Sequence, residues 1–167
     1  REDWDAIKEV NNDTTGLWFF NSGPRAGASQ PHRHFQLLRR GSNEMLCPRE
    51  NWLLEFTNAN NKNKKFNNKI VTKKFLLSLD KEDLYSSYLE LSKKLDLGNP
   101  KQNKKPNYPY NILLTNRWIS LIRRKTDNLD GISINALGFA GYILVTKNSN
   151  INFLKEKGPD KFLENFI

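Results

Sequence analysis

Two short apolar segments joined by a tight turn constrain the fold most strongly. Tyr110–Thr115 and Trp118–Arg123 flank the dipeptide Asn116-Arg117, and both have the composition of buried strands. A connection this short joins antiparallel neighbours, because parallel strands need a long crossover. The sequence therefore predicts an antiparallel hairpin at the centre of a sheet. Further strand-like segments are Gly16–Asn21, Pro31–Leu38, Ile70–Leu79 and Ile132–Val145.

Helical patterns lie between and beyond these strands. The clearest predicted helix covers Asp80–Leu97, where apolar residues recur at helical spacing and Asp80 can cap the first turn. Arg1–Val10 and Ile151–Phe166 are also expected to be helical, the latter with a break at Gly158. Mostly antiparallel strands with helices packed on them make an α+β fold.

The length of the chain favours a single domain. It has 167 residues, enough to bury a substantial core. Asn58–Asn68 is polar and low in complexity, which predicts a mobile loop. We expect one domain covering residues 1–167.

Charge and cysteine content narrow the classes of partner. A net charge of +9 favours a polyanion such as nucleic acid, a membrane surface or nucleotide phosphates. The lysine-rich runs Lys62–Lys74 and Lys101–Lys105 are expected to be solvated surface. No nucleic-acid motif is found, and no apolar run is long enough to span a membrane. A lone cysteine, Cys47, is expected to be a small buried hydrophobe in a cytoplasmic protein.

Chemistry is concentrated in Asn21–Leu38, which reads NSGPRAGASQPHRHFQLL and holds the only two histidines. An extended chain places alternate side chains on one face. If Pro31–Leu38 is a strand, His32, His34 and Gln36 share a face. The loop Gly27–Gln30 before them is expected to offer free backbone N–H groups to phosphate oxygens.

Three chemistries compete for these residues. A metal site lacks a third strong ligand, since the amide of Gln36 is a poor one. A Ser–His triad would use Ser29, but no acid lies near it in the sequence. A histidine that attacks phosphorus uses every feature: one ring nitrogen attacks while a fixed acceptor holds the other. These residues alone do not choose between His32 and His34.

The segment GASQPHRHFQLL resembles the signature of the ATP adenylyltransferases, also called diadenosine tetraphosphate (Ap4A) phosphorylases. This family is the transferase branch of the histidine-triad superfamily and carries H-x-H-x-Q. Tyr110–Trp118 (YNILLTNRW) and Gly131–Val145 (GISINALGFAGYILV) resemble two further family blocks. The resemblance implies a histidine-triad-like α+β fold and a single nucleotidyltransferase domain lacking the family's N-terminal segment.

The resemblance also implies a reaction, in which Ap4A and phosphate give ATP and ADP through an adenylyl-histidine. His34 would be the nucleophile, His32 would support its orientation, and Gln36 would contact the adenylyl phosphate. The family's third block ends near a lysine, for which Lys147 is the candidate, shifted by one residue. The implied substrate-binding residues are Asn21, Gly27, Ala28, Ser29, Gln30, Asn135, Ala136, Leu137, Tyr142 and Lys147.

The implied partners are dinucleoside polyphosphates, ATP, ADP and phosphate, bound by a monomer or a homodimer. No tightly bound cofactor is expected, and Mg²⁺ would accompany the nucleotide rather than occupy a protein site. Two alternatives use the same histidine: a dinucleoside polyphosphate hydrolase and an adenylylsulfate phosphorylase. A non-catalytic nucleotide-binding domain is the alternative from another class.

Overall fold

A five-stranded antiparallel sheet forms the centre of the molecule, in the order β2-β1-β4-β5-β3. The computed structural model describes residues 1–41, 43–57, 64–66 and 68–167. Its strands are β1 (Leu17–Asn21), β2 (Phe35–Leu38), β3 (Ile70–Lys74), β4 (Tyr110–Leu114), β5 (Trp118–Arg123), β6 (Asn128–Leu129) and β7 (Ile132–Ser133). Its helices are α1 (Glu2–Asp13), α2 (Glu50–Leu54), α3 (Leu84–Lys94), α4 (Ala136–Ala140), α5 (Ile151–Lys157) and α6 (Pro159–Leu163).

The predicted hairpin is confirmed. β4 and β5 pair in antiparallel register, with Leu114 opposite Ile119 and Tyr110 opposite Arg123. β6 and β7 form a separate two-stranded ribbon. The α+β class and the mostly antiparallel sheet are also confirmed.

Both faces of the sheet are covered, which explains why its strands read as nearly continuous apolar runs. On one face, Phe19, Leu113 and Trp118 join a core completed by α2, α4 and α6. On the other face, Phe20 and Leu121 join a core completed by α1 and α3. Because alternate residues of each strand enter different cores, neither face can be polar.

The helix predicted over Asp80–Leu97 exists, but it is shorter and is capped by a different residue. α3 begins at Leu84, and the Asp83 carboxylate accepts hydrogen bonds from the Ser86 N–H at 3.0 Å and the Ser86 hydroxyl at 2.7 Å. Asp80 lies in a separate 3-10 turn. Extended backbone at Glu82 ends that turn before the helix starts.

Several other boundaries differ from the predictions. The strand expected over Ile132–Val145 is wrong, because β7 has two residues and Asn135 then caps α4. β3 ends at Lys74, and Leu76 beyond it is 97% exposed. The helical predictions at both ends of the chain are confirmed, with Gly158 separating α5 from α6. The loop predicted at Asn58–Asn68 lies outside the described residues, apart from residues 64–66 and 68.

Candidate active site

The two histidines lie immediately before β2, so the predicted strand over Pro31–Leu38 is wrong in its first half. β2 starts at Phe35, whose partner Phe20 is the next-to-last residue of β1. β1 ends one residue later at Asn21, which pairs with Asn111 of β4, and the register of β1 with β2 does not extend to the residues before Phe35. The two imidazoles nevertheless lie side by side, with ring centroids 5.0 Å apart.

Residues that alternate with the histidines attach this segment to α1. The Arg33 guanidinium pairs with the Asp3 carboxylate at 3.1 Å. The Phe35 ring packs edge-on against Trp4, with centroids 5.2 Å apart. Gln36 pairs across the sheet with Phe19, which faces the opposite core from Phe35. The segment of residues 32–36 is therefore held against α1 through Arg33 and Phe35.

The imidazole of His34 is held through one nitrogen. Its Nδ1 lies 3.0 Å from the backbone carbonyl oxygen of His32. An acceptor at that position selects the tautomer with the proton on Nδ1, which leaves the lone pair on Nε2. In the described part of the chain Nε2 has no hydrogen-bond partner, and the ring is partly exposed. This arrangement suits attack on an electrophile.

The loop Gly27–Gln30 offers fewer free N–H groups than the sequence suggests. The Gly27 N–H donates to the Pro24 carbonyl at 2.8 Å, and the Ala28 N–H donates to the Gly23 carbonyl at 3.1 Å. These two groups are therefore unavailable, because the preceding 3-10 turn uses them. Ser29 and Gln30 are exposed, and their N–H groups have no partner among the described residues.

Gly27 packs tightly against the third sequence block. Its φ is +82°, in the left-handed region that favours glycine. A Cβ at this position would lie 2.7 Å from the Ile134 carbonyl oxygen and from the Asn135 Cα. The loop before the histidines and the start of α4 are thus in direct contact.

Asn21, the last residue of β1, forms hydrogen bonds to β4 and to the start of α4. Its side-chain oxygen accepts hydrogen bonds from the Asn111 amide at 2.7 Å and from the Ala136 N–H at 2.9 Å. Ala136 is fully buried, and the Asn135 side chain accepts from the Leu137 N–H at 2.9 Å. Asn21 therefore joins the end of β1 to the start of α4, and Asn135 caps that helix.

Sequence reasoning missed Arg124, which lies beneath the same loop. Its guanidinium is buried, and the loss of solvation lowers its pKa to about 10. It donates to the Asn111 side-chain oxygen at 2.5 Å. Its other acceptors are the backbone carbonyls of Ala26, Thr126, Ile134 and Phe166, at 2.6–3.3 Å. The sequence does contain one indication of its burial. Side chains alternate between the two faces of a strand, and Arg124 lies on the same face as the buried residues Ser120 and Ile122.

The remaining residues of the third block are placed differently. Leu137 packs against the core, and the Tyr142 hydroxyl donates to the Met45 carbonyl at 2.8 Å. Lys147 is exposed in a turn. None of the contacts described joins these three residues to the histidines.

Cys47 has a structural role. Its Sγ lies 3.6 Å from the Ala140 carbonyl oxygen, and burial raises its pKa to about 12. The thiolate that nucleophilic attack requires is therefore disfavoured near neutral pH.

The described ranges hold no group of three or more His, Cys, Asp or Glu side chains arranged to bind a metal ion. Their helices are all too short or too polar to cross a bilayer.

The chain is similar to known proteins along its length. A model of the ATP adenylyltransferase C-terminal domain matches residues 54–166, and one of the Ap4A phosphorylase N-terminal domain matches residues 1–52. Diadenosine 5',5'''-P1,P4-tetraphosphate phosphorylase 2 of Saccharomyces cerevisiae is 28% identical over 158 residues, covering 84% of this chain and 48% of the relative. Protein APA1 of the same yeast is 28% identical over 164 residues, covering 87% and 50%. The chain thus spans about half the length of these relatives.

Solved structures share the fold. Yeast Ap4A phosphorylase Apa2 superposes with a TM-score of 0.61 at 22% identity, covering 98% of this chain and 59% of Apa2. Its complex with AMP gives 0.63 at 24% identity with the same coverage, and its complex with Ap4A gives 0.62 at 23% identity, covering 90% and 53%. The family models, which together match nearly every residue, confirm the resemblance carried by the three sequence blocks. The chain belongs to the ATP adenylyltransferase family of Ap4A phosphorylases.

Proposed function

We propose that this chain catalyses phosphorolysis of Ap4A to ATP and ADP, with His34 as a covalent nucleophile. Membership of the family supports the reaction class. A curated relative is named as an Ap4A phosphorylase, and Apa2 has been solved with Ap4A bound.

The hydrogen bond between His34 Nδ1 and the His32 carbonyl oxygen carries the choice of nucleophile. It directs the lone pair of Nε2 away from the backbone, and it can stabilise the positive charge that the ring develops during attack. His32 contributes its carbonyl to this bond and places its own ring beside that of His34. The roles of the two histidines are therefore different.

The reaction proceeds in two displacements. Nε2 of His34 attacks the α-phosphorus of Ap4A, the bond from that phosphorus to the β-phosphate bridging oxygen breaks, and ATP leaves. A phosphate oxygen then attacks the adenylyl phosphorus, the P–N bond breaks, and ADP leaves with the imidazole restored. Both steps depend on positioning and on stabilising the charge on the phosphoryl oxygens.

The groups around His34 divide this work. The Gln36 amide has no side-chain partner among the described residues and is free to donate to a nonbridging oxygen. The unpaired N–H groups of Ser29 and Gln30 supply further donors. Gly27, Ala28, Asn21, Asn135 and Ala136 hold these donors in place, while Leu137, Tyr142 and Lys147 remain proposed contacts of the nucleotide.

Replacing His34 tests the proposal. Wild-type protein incubated with Ap4A and phosphate should form equal amounts of ATP and ADP. His34→Ala should reduce turnover at least about a thousandfold, because it removes the proposed nucleophile. Circular dichroism and thermal unfolding establish that the variant is folded. Turnover by folded His34→Ala close to that of the wild type would refute the assignment.

Omitting phosphate separates the related activities. A phosphorylase then stops after the first displacement, whereas a hydrolase continues to ATP and AMP. Adenylylsulfate offered with phosphate tests for the other phosphorylase, which would form ADP. A non-catalytic domain would bind AMP and form no product under any of these conditions.

A further inference from the structure

A cavity of about 430 Å³ lies at the end of β5, and much of its lining is basic. The basic residues that line it are Arg25, Lys69, Arg123, Arg124 and Lys125. No Asp or Glu is among the described residues of the lining, and a concave surface with this excess of positive charge favours an anionic ligand. His32, His34 and Gln36 are not part of the lining either, so the cavity is separate from the candidate active site.

Three consecutive basic residues, Arg123–Lys125, supply much of this charge. Arg124 is buried, and its guanidinium is held by the Asn111 side chain and by backbone carbonyls. Arg123 is half-buried and Lys125 is exposed. Because side chains alternate between the two faces of an extended chain, one of the three charges enters the core and the other two face outward.

The basic side chains of this cavity are not paired with acidic side chains. Among the described residues, none of the five forms an ion pair with Asp or Glu. Arg25 donates to the Lys125 carbonyl oxygen at 2.8 Å, and Lys69 donates to a backbone oxygen of Ile167 at 3.1 Å. Both bonds fix the position of a positive side chain and leave its other donors free. Like charges around one cavity repel each other, and an anion bound among them relieves that repulsion.

An aromatic ring lies beside these charges. Tyr108 lines the cavity, and the Arg123 guanidinium lies over its ring, 3.1 Å from the ring centroid. Both side chains are only half-buried. A guanidinium held on an aromatic ring offers a flat surface on which a nucleobase can stack. The cavity thus combines positive charge for phosphates with a stacking surface for a base.

The basic surface continues beyond the cavity. Arg25, Lys69 and Lys125 come from three separate segments, and the run Lys101–Lys105, whose lysines are all exposed, lies shortly before Tyr108 in the chain. A compact anion is bound best by donors that converge on one point. A polymer with one charge on each phosphate matches positive groups that are spread over a surface.

We propose that this cavity binds single-stranded nucleic acid. Phosphodiester groups contact Arg25, Lys69 and Lys125, and a base stacks on the Arg123 guanidinium above Tyr108. The sequence contains no nucleic-acid motif, because the site is assembled from segments that are distant in the chain. RNA and DNA share the chemistry that these residues recognise, so both are tested. The proposal does not depend on the reaction at His34.

Fluorescence anisotropy with labelled oligouridine and oligothymidine of about twelve nucleotides tests the proposal. Wild-type affinity should fall steeply as salt is added, because binding releases counterions from the phosphates. In the double variant Lys69→Gln/Lys125→Gln both oligonucleotides should bind about tenfold or more weakly, and the slope of log affinity against log salt should shrink by about 1. Lys93→Gln/Lys155→Gln is the matched control: it removes the same charge from exposed lysines outside the cavity and should bind like the wild type.

A second pair of variants separates stacking from charge. Tyr108→Leu keeps the apolar bulk and every positive charge, so affinity should fall about fivefold or more with the salt dependence unchanged. Arg123→Lys keeps the charge but removes the flat guanidinium, and it should weaken binding in the same way. A duplex of the same length should bind more weakly than the single strands, because its bases are already stacked on each other.

Circular dichroism and thermal unfolding establish that each variant is folded. Three results would overturn the proposal. They are wild-type protein that binds neither oligonucleotide at low salt, an equal loss of binding in both double lysine variants, and wild-type affinity in folded Arg123→Lys and Tyr108→Leu. The last result would mean that the surface attracts any polyanion and does not recognise bases.

Discussion

The buried side chain of Arg124 holds together several segments that surround the candidate site. A buried guanidinium is costly unless all its donors are paired, and here four backbone carbonyls and Asn111 accept from it. Those carbonyls belong to the loop before the histidines, the segment leading to α4, and the end of the chain. One side chain therefore fixes three separate segments around the candidate site.

Asn111 is the residue through which this network can be tested. Asn111→Leu keeps the size of the side chain but removes one hydrogen-bond partner from each of Arg124, Asn21 and the Ala26 carbonyl. We expect a loss of about 2–4 kcal/mol in the free energy of unfolding, measured by urea denaturation. Asn152→Ala, at an exposed position of α5, should change it by less than about 0.5 kcal/mol. An Asn111→Leu protein as stable as the wild type would contradict this role.

The sequence reveals some of these residues and conceals others. His32 and His34 were found because they are the only histidines and alternate along the chain. Arg124 was not found, because its partners are backbone carbonyls of segments distant in sequence. Asn21 was predicted to contact substrate, yet its side-chain oxygen already accepts two hydrogen bonds within the protein.

At the scale of elements, amphipathic periodicity predicted helices well and their first residues poorly. The apolar face of α3 is visible in the sequence, but the predicted cap, Asp80, is wrong, because Asp83 caps the helix. Extended backbone at Glu82 separates the turn that contains Asp80 from the start of α3. The strand predicted over Ile132–Val145 is also wrong. Its apolar run is typical of a strand, but Asn135 caps a helix within it.

Removing the cap of α3 should have a pH-dependent effect. Hydrogen bonds from the Ser86 N–H and hydroxyl hold the pKa of Asp83 below its usual range. Such a carboxylate stabilises the folded state above its unfolded pKa, and this stabilisation is lost as the pH falls through the folded pKa. At about pH 7, Asp83→Ala should lower the free energy of unfolding by about 1 kcal/mol.

The pH series provides the control. The difference between Asp83→Ala and wild type should shrink as the pH falls from about 4 to about 2. Asp83→Asn keeps a capping acceptor and should lower the free energy of unfolding less than Asp83→Ala does at neutral pH. A difference between Asp83→Ala and wild type that stays constant down to about pH 2 would show that the carboxylate does not act as described.

At the scale of the whole molecule, the site depends on pairing between distant segments. β1 and β2 come from the part matched by the N-terminal domain model, and β3, β4 and β5 come from the part matched by the C-terminal domain model. They form one sheet, in which β1 lies beside β4. A cavity beside His32 is likewise lined by residues of both parts, from the segments 20–33 and 97–106.

The arrangement of the whole molecule was the hardest feature to predict from the sequence. Strand-like segments and one hairpin could be predicted, because local composition and turn length determine them. The order of the strands depends on long-range packing, and the cavity depends on that order. Lys104 and Lys105 are exposed, as expected for the run Lys101–Lys105, but only the folded chain shows that they line the same cavity as His32.

The most direct test of the central claim is the intact mass of the protein after exposure to Ap4A without phosphate. We expect the mass of one adenylyl group to be added, located by peptide analysis on His34, absent from His34→Ala, and released as ADP when phosphate is supplied. The account would be contradicted by an active protein, forming ATP and ADP once phosphate is supplied, that carries no adenylyl group beforehand, or by an adenylyl group on any residue other than His34.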